Sequence, residues 1–260
     1  MYQTVANHRT RKFTGIISIT VFVGSLLLSA VSFAQAPTTN QDTFRQDFRL
    51  WTPTFLTVKL PSSFLAYMEV NPRFADLDDG GHIDQLLLRP AIGYQLTENV
   101  SIWQGYAWVG NFNQPHTPPQ SPFFEENRIY QQLNYTSKFE SIKLLSRFRL
   151  EERWIEHADG TALRFRFMLR GAYPLPIAPE WAAVAYDEVF VGLNTVGTAQ
   201  GKGPEAGFDQ NRFFVGINRT FGKHFNMDAG YQNQLINSRS LPNLANQMNH
   251  VILLNFYINL

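Results

Sequence analysis

Leu163-Arg164-Phe165-Arg166-Phe167-Met168-Leu169-Arg170 is the stretch that decides the fold. As a helix it would scatter its arginines around the axis and force charge onto any packed face. As a strand, with side chains repeating every two residues, it puts Leu163, Phe165, Phe167 and Leu169 on one face and Arg164, Arg166 and Arg170 on the other. Arg147-Phe148-Arg149-Leu150-Glu151-Glu152-Arg153-Trp154 repeats the pattern. Arg147, Arg149, Glu151 and Arg153 point inward there, and Glu152 interrupts the outer face in a way that suits a rim.

Working outward, the chain ends on Val251-Ile252-Leu253-Leu254-Asn255-Phe256-Tyr257-Ile258-Asn259-Leu260. Leu254, Phe256, Ile258 and Leu260 share one face; Asn255 and Asn259 share the other. A last strand with an apolar face reaching the final residue resembles the insertion signal of bacterial outer-membrane barrels, with Leu where Phe or Trp is usual. Similar runs occur at 48–59, 64–74, 85–96, 100–112, 128–138, 181–194, 211–221 and 225–236, so about eleven strands of membrane-spanning length are expected. The links alternate in length. Pro61-Ser62-Ser63, Thr97-Glu98-Asn99, Ser137-Lys138-Phe139 and Gly222-Lys223 are tight, whereas 75–84, 113–126, 156–161, 195–209 and 237–249 are long and polar. The expected fold is therefore an all-β, antiparallel transmembrane β-barrel of about 10–12 strands, with short periplasmic turns and long outer loops.

The N-terminus fits export. His8, Arg9, Arg11 and Lys12 precede an apolar run from Phe13 to Val31, and Ser32-Phe33-Ala34 or Ala34-Gln35-Ala36 offers small residues to a signal peptidase. Residues 1–34 are read as a signal peptide, cleaved at 34 or 36, and 35–260 as one barrel domain. Arg9-Thr10-Arg11 is no twin-arginine pair, so general secretion is the expected route. Cysteine is absent, which excludes disulfides and a lipidated signal cysteine. The formal charge is +1; without Arg9, Arg11 and Lys12 the mature chain carries 19 basic and 21 acidic residues. That balance excludes a nucleic-acid binder driven by bulk charge. The expected location is the bacterial outer membrane, with its lipid and the barrel assembly machinery as partners.

One geometric problem remains at the start of the barrel. If the tight links are periplasmic, the strand at 48–59 runs downward from the outer side. Residues 37–47 must then form a further strand, giving an even count of about twelve, or thread the lumen.

The chain also resembles a known family of uncharacterised bacterial outer-membrane barrels, domain-of-unknown-function family 2490. The resemblance rests on Asp47-Phe48 with Leu50-Trp51, Asn127-Arg128-Ile129-Tyr130-Gln131-Gln132-Leu133, Arg147 to Arg153 and Asp187-Glu188-Val189-Phe190. Asp209-Gln210-Asn211-Arg212, Gly230-Tyr231-Gln232-Asn233-Gln234 and Asn249-His250 complete it. It implies a fold and a location but no catalytic residue.

Strand alternation nominates the lumen as the site. Arg128, Arg147, Arg149, Glu151, Arg153, Arg164, Arg166, Arg170, Glu188 and Arg212 are its candidate residues, with Arg73 and Arg89 also inward. Glu69, Glu151, Glu188 and Asp228 are the expected acidic partners. Two readings of these residues stand side by side. One is a salt-bridge network that fills a narrow barrel; the other is a basic constriction that takes small anionic solutes. The role expected is thus a passive channel or a structural barrel. An outer-rim lipid hydrolase would need serine and acid beside His250, with Ser238 and Ser240 in the preceding loop. A surface-loop adhesin would act through 113–126 and 195–209. Asp76, Asp78, Asp79 and Asp84 around Gly80-Gly81 miss the calcium-loop spacing and read as a solvated loop. No catalytic residue, metal ligand set or cofactor is assigned.

Overall fold

The computed structural model describes residues 45–112, 123–156, 158–198, 201–237 and 246–260. The signal-peptide reading, its cleavage point and residues 37–44 lie outside the described residues. Among the described residues fourteen strands follow in order: β1 (Arg45–Trp51), β2 (Thr54–Lys59), β3 (Phe64–Ala75), β4 (His82–Gln95), β5 (Val100–Phe112), β6 (Phe123–Phe139), β7 (Ile142–Ile155), β8 (Thr161–Leu175), β9 (Ala178–Gly192), β10 (Gly197–Thr198), β11 (Gly201–Lys202), β12 (Gly207–Phe221), β13 (Phe225–Ile236) and β14 (Gln247–Asn259). Of these, β10 and β11 stand apart, as a two-stranded pair in the β9–β12 connection that lies within the 195–209 loop.

The others close into a barrel. β1 and β2 are two halves of one path, split at Thr52-Pro53, because proline has no N–H to give a ladder. The split is bridged by Thr52 N–H to the Pro72 carbonyl at 3.2 Å and by Phe256 N–H to the Pro53 carbonyl at 2.9 Å. Counting the two halves once, the barrel has eleven staves. Ten ladders join sequence neighbours and are antiparallel. The closing one is parallel: β1 and β2 both run alongside β14, with Trp51 beside Leu253 and Phe55 beside Tyr257. An odd count requires such a seam, because strict up-and-down alternation leaves the first and last staves pointing the same way. Eleven staves fall within the expected 10–12, and among the described residues the seam is made directly by β1, from Arg45 onward.

Five tight turns lie at one end and five longer connections at the other. The third turn is displaced from its expected place. Ser137, Lys138 and Phe139 continue β6, pairing with Leu144, Lys143 and Ile142, and the chain reverses at Glu140-Ser141. Glu140 adopts a φ of 51°, which lets a two-residue reversal fit the strand twist. A fifth turn, at Pro176-Ile177, escapes the sequence pattern because Pro174 and Pro176 break the alternation.

Alternation then sorts the side chains. Phe165, Phe148, Leu150, Val215, Ile217, Ile252 and Ile92 face out around the whole circumference. Tyr106, Trp108 and Trp154 lie on this face toward the loop end, and Tyr94, Tyr135 and Tyr173 toward the turn end. The inward face holds arginines, carboxylates and amides, with one apolar cluster of Trp51, Val184, Phe214, Val251 and Leu253. Glycine makes room for inward rings. A β-carbon on Gly105 would sit 2.2 Å from the ring of Tyr130, its register partner, and one on Gly93 would sit 2.5 Å from Trp103.

Candidate functional site

The ten lumen residues nominated by alternation all lie on the inward face, and five of them are joined, with Asp209, in one ladder of alternating charge. On β12, Asp209 receives Arg164 Nη1 at 3.0 Å. Arg164 donates to Glu151 Oε2 through Nη2 at 2.6 Å and Nε at 2.9 Å. The other oxygen of Glu151 accepts Arg166 Nη1 at 2.6 Å. Arg166 continues to Glu188 Oε1 at 2.7 Å, where Arg147 Nη2 also arrives at 2.8 Å. Arginines two apart on β8 thus reach β7, β9 and β12 at one height. The planar guanidinium fork suits this role, since it can serve two carboxylates at once. Glu151 is 1% exposed and Glu188 3%. Carboxylates that deep need several donors each to offset desolvation, and here they have them.

Three further groups surround the ladder. Glu126 takes Arg128 at 2.8 Å through both oxygens and also takes Arg153. Glu69 binds Arg89, with Tyr67 Oη and Asn71 donating at 3.0 and 3.1 Å. Asp228 accepts Arg170 at 3.1 Å, Tyr257 Oη at 3.0 Å and Asn218 at 2.6 Å. Nearer the loop end, Arg49 lies between Asp47 and Asp84, 2.6 Å from each.

The inward acids thus exceed those that alternation nominates. Asp84 and Asp209 sit at register shifts in β3–β4 and β9–β12, where an extra residue breaks the period of two and turns a side chain inward. Asp47 and Glu126 escape the pattern for a plainer reason: β1 and β6 start three and five residues earlier than the runs at 48 and 128 suggest. Asp84 is thereby taken out of the acidic loop at 76–81 and given to the lumen. Trp51, Tyr130 and Phe190 also belong to the site. Arg149 lies 4.3 Å over Tyr130, and Arg166 lies 4.3 Å over Phe190.

Of the inward arginines nominated from the sequence, three stand outside the hydrogen-bonded ion pairs. Arg149 donates to the neutral amide of Gln132 at 2.8 and 2.5 Å and keeps Glu151 at 3.6 Å. Arg73 donates to the neutral amide of Gln85 at 2.6 Å. Arg212 packs over Trp51 and Phe190, at 4.9 and 4.7 Å. On the turn side of the ladder the lumen widens into a cavity of about 400 Å³, lined by all three of these arginines, by Glu69 and Glu188, and by Tyr67, Trp103, Tyr186 and Tyr257.

His250 is elsewhere. It faces outward near the loop end, stacked on Phe48 at 5.1 Å, with Nδ1 2.6 Å from Tyr231 Oη. Ser238, Ser240 and most of the 113–126 loop lie outside the described residues. Among the described residues no group of three histidine or carboxylate side chains could hold a metal ion.

A family profile described as Protein of unknown function (DUF2490) matches residues 48–245. An uncharacterised protein of Methylorubrum extorquens is 30% identical over 217 residues, covering 82% of this chain and 88% of the relative. No solved structure matches. The chain belongs to the DUF2490 family.

Proposed function

We propose that this DUF2490 member is a bacterial outer-membrane barrel whose lumen is braced shut at mid-height, a structural barrel with a latent anion path rather than an open pore. The observation that carries this reading is the Asp209–Arg164–Glu151–Arg166–Glu188–Arg147 ladder, which runs over the inner face of the adjacent staves β7, β8, β9 and β12 and leaves Glu151 1% and Phe190 0% exposed, with Arg170 reaching on to Asp228 of β13 and Arg212 to Trp51 of β1. A solute would have to break several hydrogen-bonded ion pairs to pass, and removing one partner from such a pair is costly.

The membrane location is supported by the outward face. An apolar belt flanked by tyrosine and tryptophan at two heights is what a barrel presents to hydrocarbon and to the two interfaces. His250, stacked between Phe48 and Tyr231, suits an interfacial anchor on this reading. The chain would leave the cytoplasm by general secretion, lose its leader near Ala34 or Ala36 and be inserted by the barrel assembly machinery.

Two measurements test the proposal. Fractionation should find the protein in the outer membrane as a band whose mobility changes on heating; recovery as a soluble periplasmic protein overturns the location. In planar bilayers the purified wild type should show no steady conductance. Glu151→Ala combined with Arg164→Ala and Arg166→Ala should open a conductance that prefers anions, because local charge in a narrow, low-dielectric pore sets selectivity. A steadily conducting wild type overturns the braced lumen.

A further inference from the structure

Trp51 is flanked by two guanidinium groups. The Arg73 guanidinium carbon lies 3.9 Å from its ring centroid and that of Arg212 lies 4.9 Å from it. Neither arginine has a carboxylate within ion-pair distance among the described residues, whereas Arg89, Arg128, Arg147, Arg164, Arg166 and Arg170 each do. Three buried donors here also lack an acceptor: Trp51 Nε1, Arg73 Nε and Arg212 Nε. Trp51 is 3% exposed and Arg73 9%. Two cations near one another, with unmet N–H groups beside them, form an arrangement whose cost falls when an oxyanion enters. All three residues line the 400 Å³ cavity on the turn side of the charge ladder.

From this we infer that the cavity is a binding site for a small organic anion, with its carboxylate or phosphate held at Trp51, Arg73 and Arg212. The volume is that of a small-molecule pocket, about 300–1,000 Å³. The remaining wall gives the second half of the recognition. Tyr67, Trp103, Tyr130 and Tyr186 offer ring faces and phenols, and Leu253 offers an apolar patch. A ligand with one oxyanion and a compact apolar or aromatic body fits this wall better than a polyanion would, since Glu188, the register partner of Arg212, and Glu69, on the same strand as Arg73, also line the cavity. Arg149, whose Nη1 is buried and without an acceptor, supplies a further cation on the same cavity. The indole stacked with guanidinium holds the forks in plane, which reduces what is lost on ordering them around a ligand. The inference rests on the lumen described above but not on where the barrel resides.

The test is calorimetric titration of the purified full-length mature barrel in detergent with benzoate, and with benzamide as its uncharged counterpart. Benzoate should bind saturably and benzamide should not. Arg73→Gln and Arg212→Gln should each weaken benzoate by about tenfold, and together abolish it. Arg219→Gln, at an exposed arginine over Trp181 that does not line the cavity, should leave the affinity within about twofold. Each variant is first checked for heat-modifiable mobility, so that misfolded protein is not scored, and Arg73→Lys serves as a charge-preserving variant that should bind measurably better than Arg73→Gln. Equal binding of benzoate and benzamide, no saturable binding by the folded wild type, or benzoate binding unchanged in the double variant each overturns the site. Binding by a folded barrel that fractionates outside the outer membrane would sink the proposed location and leave the site standing; failed binding by a barrel in the outer membrane does the reverse.

Discussion

The ring of Tyr130 lies against Gly105, its partner across β5 and β6, so closely that a β-carbon on Gly105 would sit 2.2 Å from it. The contact sets where the phenol stands in the lumen, and Arg149 packs on that ring at 4.3 Å. Gly105→Ala should push the ring away and uncouple Arg149. The expected cost is about 1–3 kcal/mol, as for overpacking in a filled interior. Urea unfolding of the refolded barrel measures it; a cost below about 0.5 kcal/mol would show that the ring moves at no penalty.

Glu151 and Glu152 are neighbours in sequence with opposite surroundings. Glu151 holds Arg164 and Arg166 in the lumen, and Glu152 faces out near the loop end. Glu151→Gln should destabilise by about 3–5 kcal/mol, because it strands buried guanidinium charge. Glu152→Gln should change stability by less than about 0.5 kcal/mol. Paired unfolding curves decide; similar losses for both would refute the inward register of β7.

Strand parity makes much of this site readable in the sequence. Arg164, Arg166 and Glu151 declare their face by alternating with Phe165, Phe167 and Leu150. What parity does not supply are the residues at its own breaks. Asp84 and Asp209 lie at register shifts, where the period of two fails for one residue. In the sequence Trp51 is one more aromatic, since its place between Arg73 and Arg212 depends on a contact between β1, β3 and β12 that no local pattern encodes. The parallel seam is equally hidden, because strand count alone does not say which edges meet.

Phe165 lies on the outer face between the inward Arg164 and Arg166. In a bilayer, Phe165→Arg should destabilise by about 2–4 kcal/mol if the position is near the midplane, while Phe165→Leu should be tolerated. Equilibrium unfolding from lipid vesicles separates them, and equal tolerance would contradict a lipid-facing β8.

The seam can be tested covalently, because the chain has no cysteine of its own. Leu50 and Ile252 are register partners of β1 and β14, both on the outer face. Leu50→Cys with Ile252→Cys should form a disulfide under mild oxidation and give a species that migrates as a compact ring even after boiling, until reductant is added. Leu50→Cys with Leu254→Cys, one step out of register on that face, should form it far less completely. Equal yields from both pairs would refute the parallel register.

That seam also fixes the order in which the molecule can be built. Every other ladder joins strands adjacent along the chain, and such hairpins form locally and fast. β1 and β14 lie at opposite ends of the described barrel and can meet only when all the staves between them are in place. Until then two rows of backbone N–H and C=O groups stand open, each a template for a foreign strand. The hazard ends with one event, in which an interrupted first stave, broken at Pro53, must find the correct offset against the last. The lifetime of the open edge is therefore governed by the slowest ladder to close and not by the strength of the ladders already made.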